Sequence, residues 1–207
     1  WKPIQGHDLK NVFSPDDLMD ANMESGSLLP NLQQQAVGFQ EIVIYDDDHY
    51  YMGGVLAEVL ATNGYNVTLV TPAPMVSYWS QFTLEQEKVQ AKLMKLGVKL
   101  FTRHVLGEIK GDSVRLSDTV LGNEVELPRN AVVLVSDRTP NDELYSRLTL
   151  ALREAPPRGS RGERGIQSLR IIGDAEAPNI IAQAVFAGHL AAREFDEEKV
   201  EGTSFKV

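Results

Sequence analysis

Residues 41–70, EIVIYDDDHYYMGGVLAEVLATNGYNVTLV, constrain the fold more than any other stretch. Ile42-Val43-Ile44 is a short apolar run of the kind buried on both faces in a parallel sheet. Val55, Leu56, Val59 and Leu60 form a helical stripe, Gly64 sits where that helix stops, and Val67 to Val70 reads as the next strand. The result is a strand, helix and strand laid out like the opening of a dinucleotide-binding domain. In such a domain the loop after the first strand carries G-x-G-x-x-G, whose glycines let the backbone and the helix N-terminus approach a diphosphate. Here it reads Tyr45-Asp46-Asp47-Asp48-His49-Tyr50-Tyr51-Met52-Gly53-Gly54. At ~4 to 6 Å each of the three carboxylates repels a diphosphate by on the order of 1 kcal/mol or more. The expectation is a nucleotide-binding fold that has lost its nucleotide.

A second position agrees. A working NAD site places an acid, and an NADP site a base, just after the second strand to read the ribose or its phosphate. This strand ends in Val70-Thr71-Pro72-Ala73-Pro74, which supplies no charge. Tyr50, Tyr51, Tyr78 and Trp79 offer surfaces on which an adenine stacks, against the plainer reading that they pack at strand ends. For Asp46, Asp47, Asp48 and His49 the order of readings is a degenerate loop, then a surface for a partner, then a divalent metal. Consecutive acids cannot all turn toward one ion, and hard cations want six or more oxygens.

The 207 residues suffice for one large or two small domains, and 43% hydrophobic residues supply a core. A net charge of −9 argues against nucleic acid or an anionic membrane as partner. The absence of cysteine excludes disulfides, thiolate zinc, cysteine nucleophiles and any iron–sulfur cluster held by these residues. No apolar run approaches the ~20 residues that cross a bilayer, and WKPIQGHDLK contains no signal-peptide core. A cytoplasmic location is expected. Because the first residue is Trp1, so is a piece of a longer polypeptide.

Residues 1–20 look irregular apart from Ser14-Pro15-Asp16-Asp17, an N-cap, a first-turn proline and first-turn acids that predict a short helix. Met23 to Gln40 reads as a polar linker. After Val70, a helix from about Phe82 to Leu96, stopped by Gly97, leads to a strand over Val98 to Thr102. Val105 to Leu127 alternates like an antiparallel meander, and Ala131 to Ser136 is another buried strand. A helix follows over Asp142 to Arg153. Ala155 to Gly165, with Arg158, Arg161 and Arg164 among glycines and prolines, reads as a solvated loop rather than an anion site. Leu169 to Ile172 reads as a last strand, and the helix after it, through Phe195, puts Ile181, Ala184, Val185, Gly188, Ala192 and Phe195 on one face. The fold class expected is α/β, a Rossmann-like parallel sheet flanked by helices on both sides, with an antiparallel three-stranded insertion. Residues 1–40 form a leader and connection, 41–155 an NAD(P)-binding-like domain, and 156–207 a loop, strand and helix returning to an adjacent domain.

Several strings carry a resemblance. Tyr50-Tyr51-Met52 with Leu56-Ala57-Glu58, Gly64-Tyr65-Asn66-Val67-Thr68-Leu69-Val70-Thr71, Phe82-Thr83-Leu84-Glu85, and Ile172-Gly173-Asp174-Ala175-Glu176-Ala177-Pro178 with Gly188-His189 are examples. So are Ile4 to Val12 and Asp17-Leu18-Met19-Asp20. Together they resemble the C-terminal part of the trimethylamine and dimethylamine dehydrogenases, a family that also includes flavin-dependent N-methyl demethylases and NADH:flavin oxidoreductases.

The resemblance implies a parent with an N-terminal (β/α)8 barrel holding FMN and a 4Fe-4S cluster, then two domains similar to the FAD and NADPH domains of glutathione reductase. In the amine dehydrogenases the former FAD domain is associated with ADP, and electrons leave to an electron-transfer flavoprotein. This chain would be the second of those domains plus the returning end of the first. No cofactor is then firmly bound by it, and no catalytic or metal-binding residue carries over. Its partners are the missing barrel, the FAD- or ADP-like half-domain and further copies of the parent. Gly173, Asp174 and Ala175 are the cofactor-binding candidates: the resemblance places an Asp there against a flavin ribityl or nearby group, and the equal alternative is that Asp174 caps the following helix. His189 reads as a packed or surface histidine; His7 and His104 show no partner in sequence. The favoured function is a structural domain of an enzyme that oxidatively demethylates a methylated amine. The competing ones are a working NAD(P)H domain of an NADH:flavin or enone oxidoreductase, and an acidic protein-interaction module.

Overall fold

The computed structural model describes residues 4–19, 40–136, 138–154 and 168–195. Of the linker expected over Met23 to Gln40, all but Gln40 lies outside the described residues, as does the arginine loop at 155–165. Contacts divide the chain into two units, residues 1–137 and 138–207.

The first unit is built on a parallel sheet in the order β1 (Val12–Phe13), β8 (Ala131–Val135), β2 (Glu41–Asp46), β3 (Asn66–Thr71) and β4 (Lys99–Thr102). Ile44 lies beside Val133 on one side and Leu69 on the other. Because side chains alternate across a strand, β2 faces two cores. Ile42 and Ile44 pack with Leu18 of α1 (Pro15–Met19), Leu56 and Leu60 of α2 (Met52–Thr62) and Leu93 of α3 (Gln86–Lys95). Val43 and Tyr45 turn the other way, onto Leu106, Ile109, Val114 and Leu116. Those residues belong to an antiparallel sheet of β5 (His104–Ile109), β6 (Ser113–Asp118) and β7 (Glu124–Pro128). Within the first unit, the helices α1, α2 and α3 thus share one face, and among its described residues the other face is covered by the meander. Burial of each such leucine or isoleucine contributes roughly 1.5–3 kcal/mol.

Residues 4–19 of the leader are more ordered than their sequence reads. Val12 and Phe13 pair in parallel with Val132 and Val133. The Ile109 amide donates to the Gln5 carbonyl at 2.8 Å, and Gly6, at φ +84°, comes so close to Ile109 that a Cβ would sit 2.0 Å from its carbonyl oxygen. The expected cap of α1 is reciprocal. The Asp17 amide donates to Ser14 Oγ at 3.2 Å, while the Ser14 amide donates to Asp17 Oδ2 at 2.7 Å.

Two local expectations change. In place of a helix starting near Phe82, a 3-10 helix spans Tyr78–Thr83, and the left-handed Leu84 (φ +61°) breaks the chain before α3. The buried Gln86 fixes that junction by donating from Nε2 to the Val76 carbonyl at 3.0 Å. Leu169 to Ile172 pairs with no strand among the described residues. Among the described residues, the second unit contains α4 (Glu143–Glu154), a 3-10 turn at Gly173–Ala175 and α5 (Ile181–Arg193). No residue of α5 is buried. No described helix is long and apolar enough to cross a membrane.

Candidate functional site

In a doubly wound sheet the ligand crevice lies beyond the carboxyl ends of the strands. Here β2 ends at Asp46, and the Asp47 amide extends the ladder by donating to the Val135 carbonyl at 2.8 Å. The three acids then part company. Asp47 and Asp48 are half-buried, but Asp46 is 0% exposed. Its Oδ1 accepts the His49 amide at 3.0 Å, and its Oδ2 has no hydrogen-bond partner. It is packed against the first turn of α2, where a Cβ on Gly53 would fall 2.5 Å from both Cγ and Oδ2. Burial pushes the Asp46 carboxyl up to about 7, against the pull of the His49 and Asp48 amides and with help from the neighbouring carboxylates. The carboxyl is therefore divided between neutral and charged forms near neutral pH.

His49 closes the loop in a left-handed conformation (φ +62°), an uncommon one for a residue with a side chain. Its carbonyl accepts the Trp79 amide at 2.9 Å, tying the β2–α2 loop to the 3-10 segment after β3. Its Nδ1 lies 3.3 Å from Thr71 Oγ1 and its Nε2 3.4 Å from Asp47 Oδ1. Thr71 Oγ1 already accepts the Ala73 amide at 3.2 Å. A tautomer with the proton on Nε2 fits both neighbours: the ring points its proton at Asp47 and accepts the Thr71 hydroxyl. Sequence reading singled out His49 and Thr71 separately, and nothing in their spacing announces that they meet.

The aromatic candidates are mostly engaged with one another. Tyr50 and Tyr51 meet edge to face at 4.7 Å. The Tyr51 hydroxyl bonds Thr83 Oγ1 at 2.8 Å and Glu85 Oε2, and the contact with Glu85 raises its pKa and lowers that of the carboxylate. Trp79 stacks on Phe82 at 5.6 Å. Trp79 and Phe82 remain 46% and 71% exposed, which leaves an apolar ledge beside the loop.

Gly173, Asp174 and Ala175 form the 3-10 turn of the second unit, with Gly173 at φ +62°. Asp174 is exposed, and its Oδ1 accepts the Asn179 amide at 3.3 Å. The residue preceding α5 is Ile180, which has no side-chain cap; its amide is taken by Asn179 Oδ1 at 2.8 Å. His189 is exposed on α5. His7 contacts the Ile4 carbonyl at 3.0 Å, and His104 the Thr102 carbonyl at 2.7 Å. Among the described residues no three His, Asp or Glu side chains gather closely enough to hold a metal.

The chain as a whole is similar to known proteins. Dimethylamine dehydrogenase from Hyphomicrobium sp. (strain x) is 31% identical over 219 aligned residues, which take in 95% of this chain and 27% of that enzyme. The structure of histamine dehydrogenase from Rhizobium sp. 4-9 superposes with a TM-score of 0.79 and 36% identity, covering 98% of this chain and 28% of that one. The structure of 6-hydroxypseudooxynicotine amine oxidase from Pseudomonas geniculata N1 gives 0.75 and 32%, covering 94% and 26%. The chain thus spans about a quarter of the length of each relative. The pattern that describes the OYE-like second alpha/beta domain matches residues 32–141, more than half of the sequence. With the parallel sheet, the meander on its back and the strand-to-helix crossing at Asp46, that match makes this chain a member of the OYE-like second alpha/beta domain family.

Proposed function

We propose that this chain is the C-terminal nucleotide-binding-like domain of a flavin- and iron–sulfur-dependent amine dehydrogenase that oxidatively demethylates a methylated amine, and that its own role is structural. The observation that carries the proposal is the likeness, at 31–36% identity over almost the whole chain, to three relatives named as amine dehydrogenases or oxidases. The degenerate pyridine-nucleotide site is supported by the filled crossing at Asp46 and by the uncharged Thr71-Pro72-Ala73 after β3. These residues do not fit a diphosphate: the place against Gly53 is taken by a carboxylate.

The iron–sulfur cluster finds no thiolate in this sequence, so its ligands and the FMN belong to the rest of the parent. On this reading, 41–155 is the NAD(P)-like domain and 156–207 belongs to the neighbouring FAD- or ADP-binding half-domain. The exposed Asp174 on the Gly173–Ala175 turn is then offered to that neighbour's cofactor. The exposed apolar residues in and just after α5 support this division. Ile181, Phe186 and Phe195 are 83%, 64% and 78% exposed, as befits residues that the missing half-domain and further copies of the parent cover. The parent works in the cytoplasm and passes electrons to an electron-transfer flavoprotein.

Calorimetric titration of the chain with NADH, NADPH and ADP in turn tests the proposal. No heat is expected from any of the three at millimolar ligand. Micromolar binding of NADH or NADPH, weakened by substitution at Gly53 or Gly54, would overturn the structural role and make the parent a pyridine-nucleotide oxidoreductase.

A further inference from the structure

The crossing at β2 raises a question that the missing nucleotide alone does not answer: what became of the anion seat. The first turn of α2 still offers the amides of Met52, Gly53 and Gly54, because the first intrahelical bond is from the Val55 amide to the Tyr51 carbonyl at 2.9 Å. Gly53 and Gly54 still permit close approach. Into this place the Asp46 side chain projects from the last residue of the strand, fully buried, with one oxygen on the His49 amide and the other unpartnered against Gly53. We infer that the Asp46 carboxylate is a built-in occupant of the anion seat, so that the domain refuses phosphate groups because the seat is filled from within, and that a latent site for an inorganic or nucleotide phosphate lies beneath this one side chain.

The inference rests on the reading of a degenerate nucleotide site and assigns the refusal to a single residue. Asp47 and Asp48 are set aside by their position. Both are partly exposed, and Asp47 faces His49, so their charges act through solvent and are screened. Asp46 excludes an anion first by volume, since its carboxyl lies against Gly53, and its charged form adds repulsion.

Titration with inorganic phosphate, followed through the amide resonances of His49, Gly53 and Gly54, decides the matter. The wild-type chain and the D47N/D48N variant are expected to show no shift up to about 50 mM phosphate, whereas D46G shows shifts that saturate in the millimolar range. A folded D46G with no shift, or a gain of binding by D47N/D48N alone, overturns the assignment. If D46G melts too low to titrate, D46S carries the same expectation, since it leaves a smaller acceptor for the His49 amide. A thermal cycle adds an independent reading. Gly53→Ala is expected to lower the Tm of the wild-type chain by ~5 °C or more and that of D46G by less than half as much; equal losses in the two backgrounds refute the contact. Binding of NADH by the wild-type chain is a separate outcome that removes the degenerate-site reading itself.

Discussion

The molecule contains two places where an aspartate stands ahead of a helix with glycine close by, Asp46 at the end of β2 and Asp174 in the 3-10 turn before α5, and they have opposite fates. At the first, Asp46 is sealed beneath α2, whose Leu56, Ala57 and Leu60 are buried in the core. At the second, Asp174 is exposed, and α5 buries none of its residues even though Ile181, Val185, Phe186 and Leu190 are apolar. One aspartate is packed beneath the helix that follows it; the other is exposed to solvent. A carboxylate at such a turn is thus not a signature of ligand binding by itself. What matters is whether the space in front of it is filled.

The contrast can be tested first at the helices. Leu60→Ala in α2 is expected to cost about 2–5 kcal/mol in chemical denaturation, and Val185→Ala in α5 less than about 0.5 kcal/mol. Comparable losses would mean that α5 is as well packed as α2 and would dissolve the contrast. The next largest effect should lie at the filled turn. Asp46 has a folded pKa near 7 against an ordinary 3.8, so its neutral form is fully compatible with folding below pH ~4, and stability falls as pH rises through 7. The shift is equivalent to on the order of 4 kcal/mol as an upper bound. Asp46→Asn keeps an acceptor for the His49 amide and removes the charge. It should stabilise the chain by about 1–3 kcal/mol at pH 8.5 and by much less at pH 5, measured as urea midpoints at the two pH values. A gain that is the same at both would show that Asp46 is not ionised at a cost. The smallest effect belongs to the exposed pair of Arg170 and Glu194, 3.1 Å apart. Glu194→Gln should change stability by less than about 1 kcal/mol, and the change should fade in high salt.

Much of the first unit was legible because its signals are local. Ile42-Val43-Ile44 is apolar on consecutive residues since both faces of β2 are covered, and Gly64 and Gly97 follow α2 and α3 closely. The meander showed in the alternation of Val114 and Leu116 with polar residues. What stayed hidden depends on distance or direction. Val12 and Phe13 form a strand only because Val132 and Val133 lie beside them, some 120 positions along the chain. The break at Leu84 needs a left-handed leucine, which no propensity favours. Leu169 to Ile172 has strand-like composition, but a strand exists only with a partner to pair with. At the site, three adjacent aspartates marked the loop after β2 as unlike a glycine-rich phosphate loop, but not which of them had turned inward; the sole hint was the glycine pair at 53 and 54, in a helix that must come close to something.

The short leader strand has one more consequence. β8 reads Ala-Val-Val-Leu-Val, and without β1 it would end the sheet as a bare row of amides and carbonyls on a strongly apolar strand, the kind of edge along which proteins polymerise. Two residues of Val12–Phe13 cover part of that edge, too few to offer a long template of their own. The leader therefore guards the domain against sticking to its neighbours, and the clamp of Gly6 on Ile109 holds that guard in place.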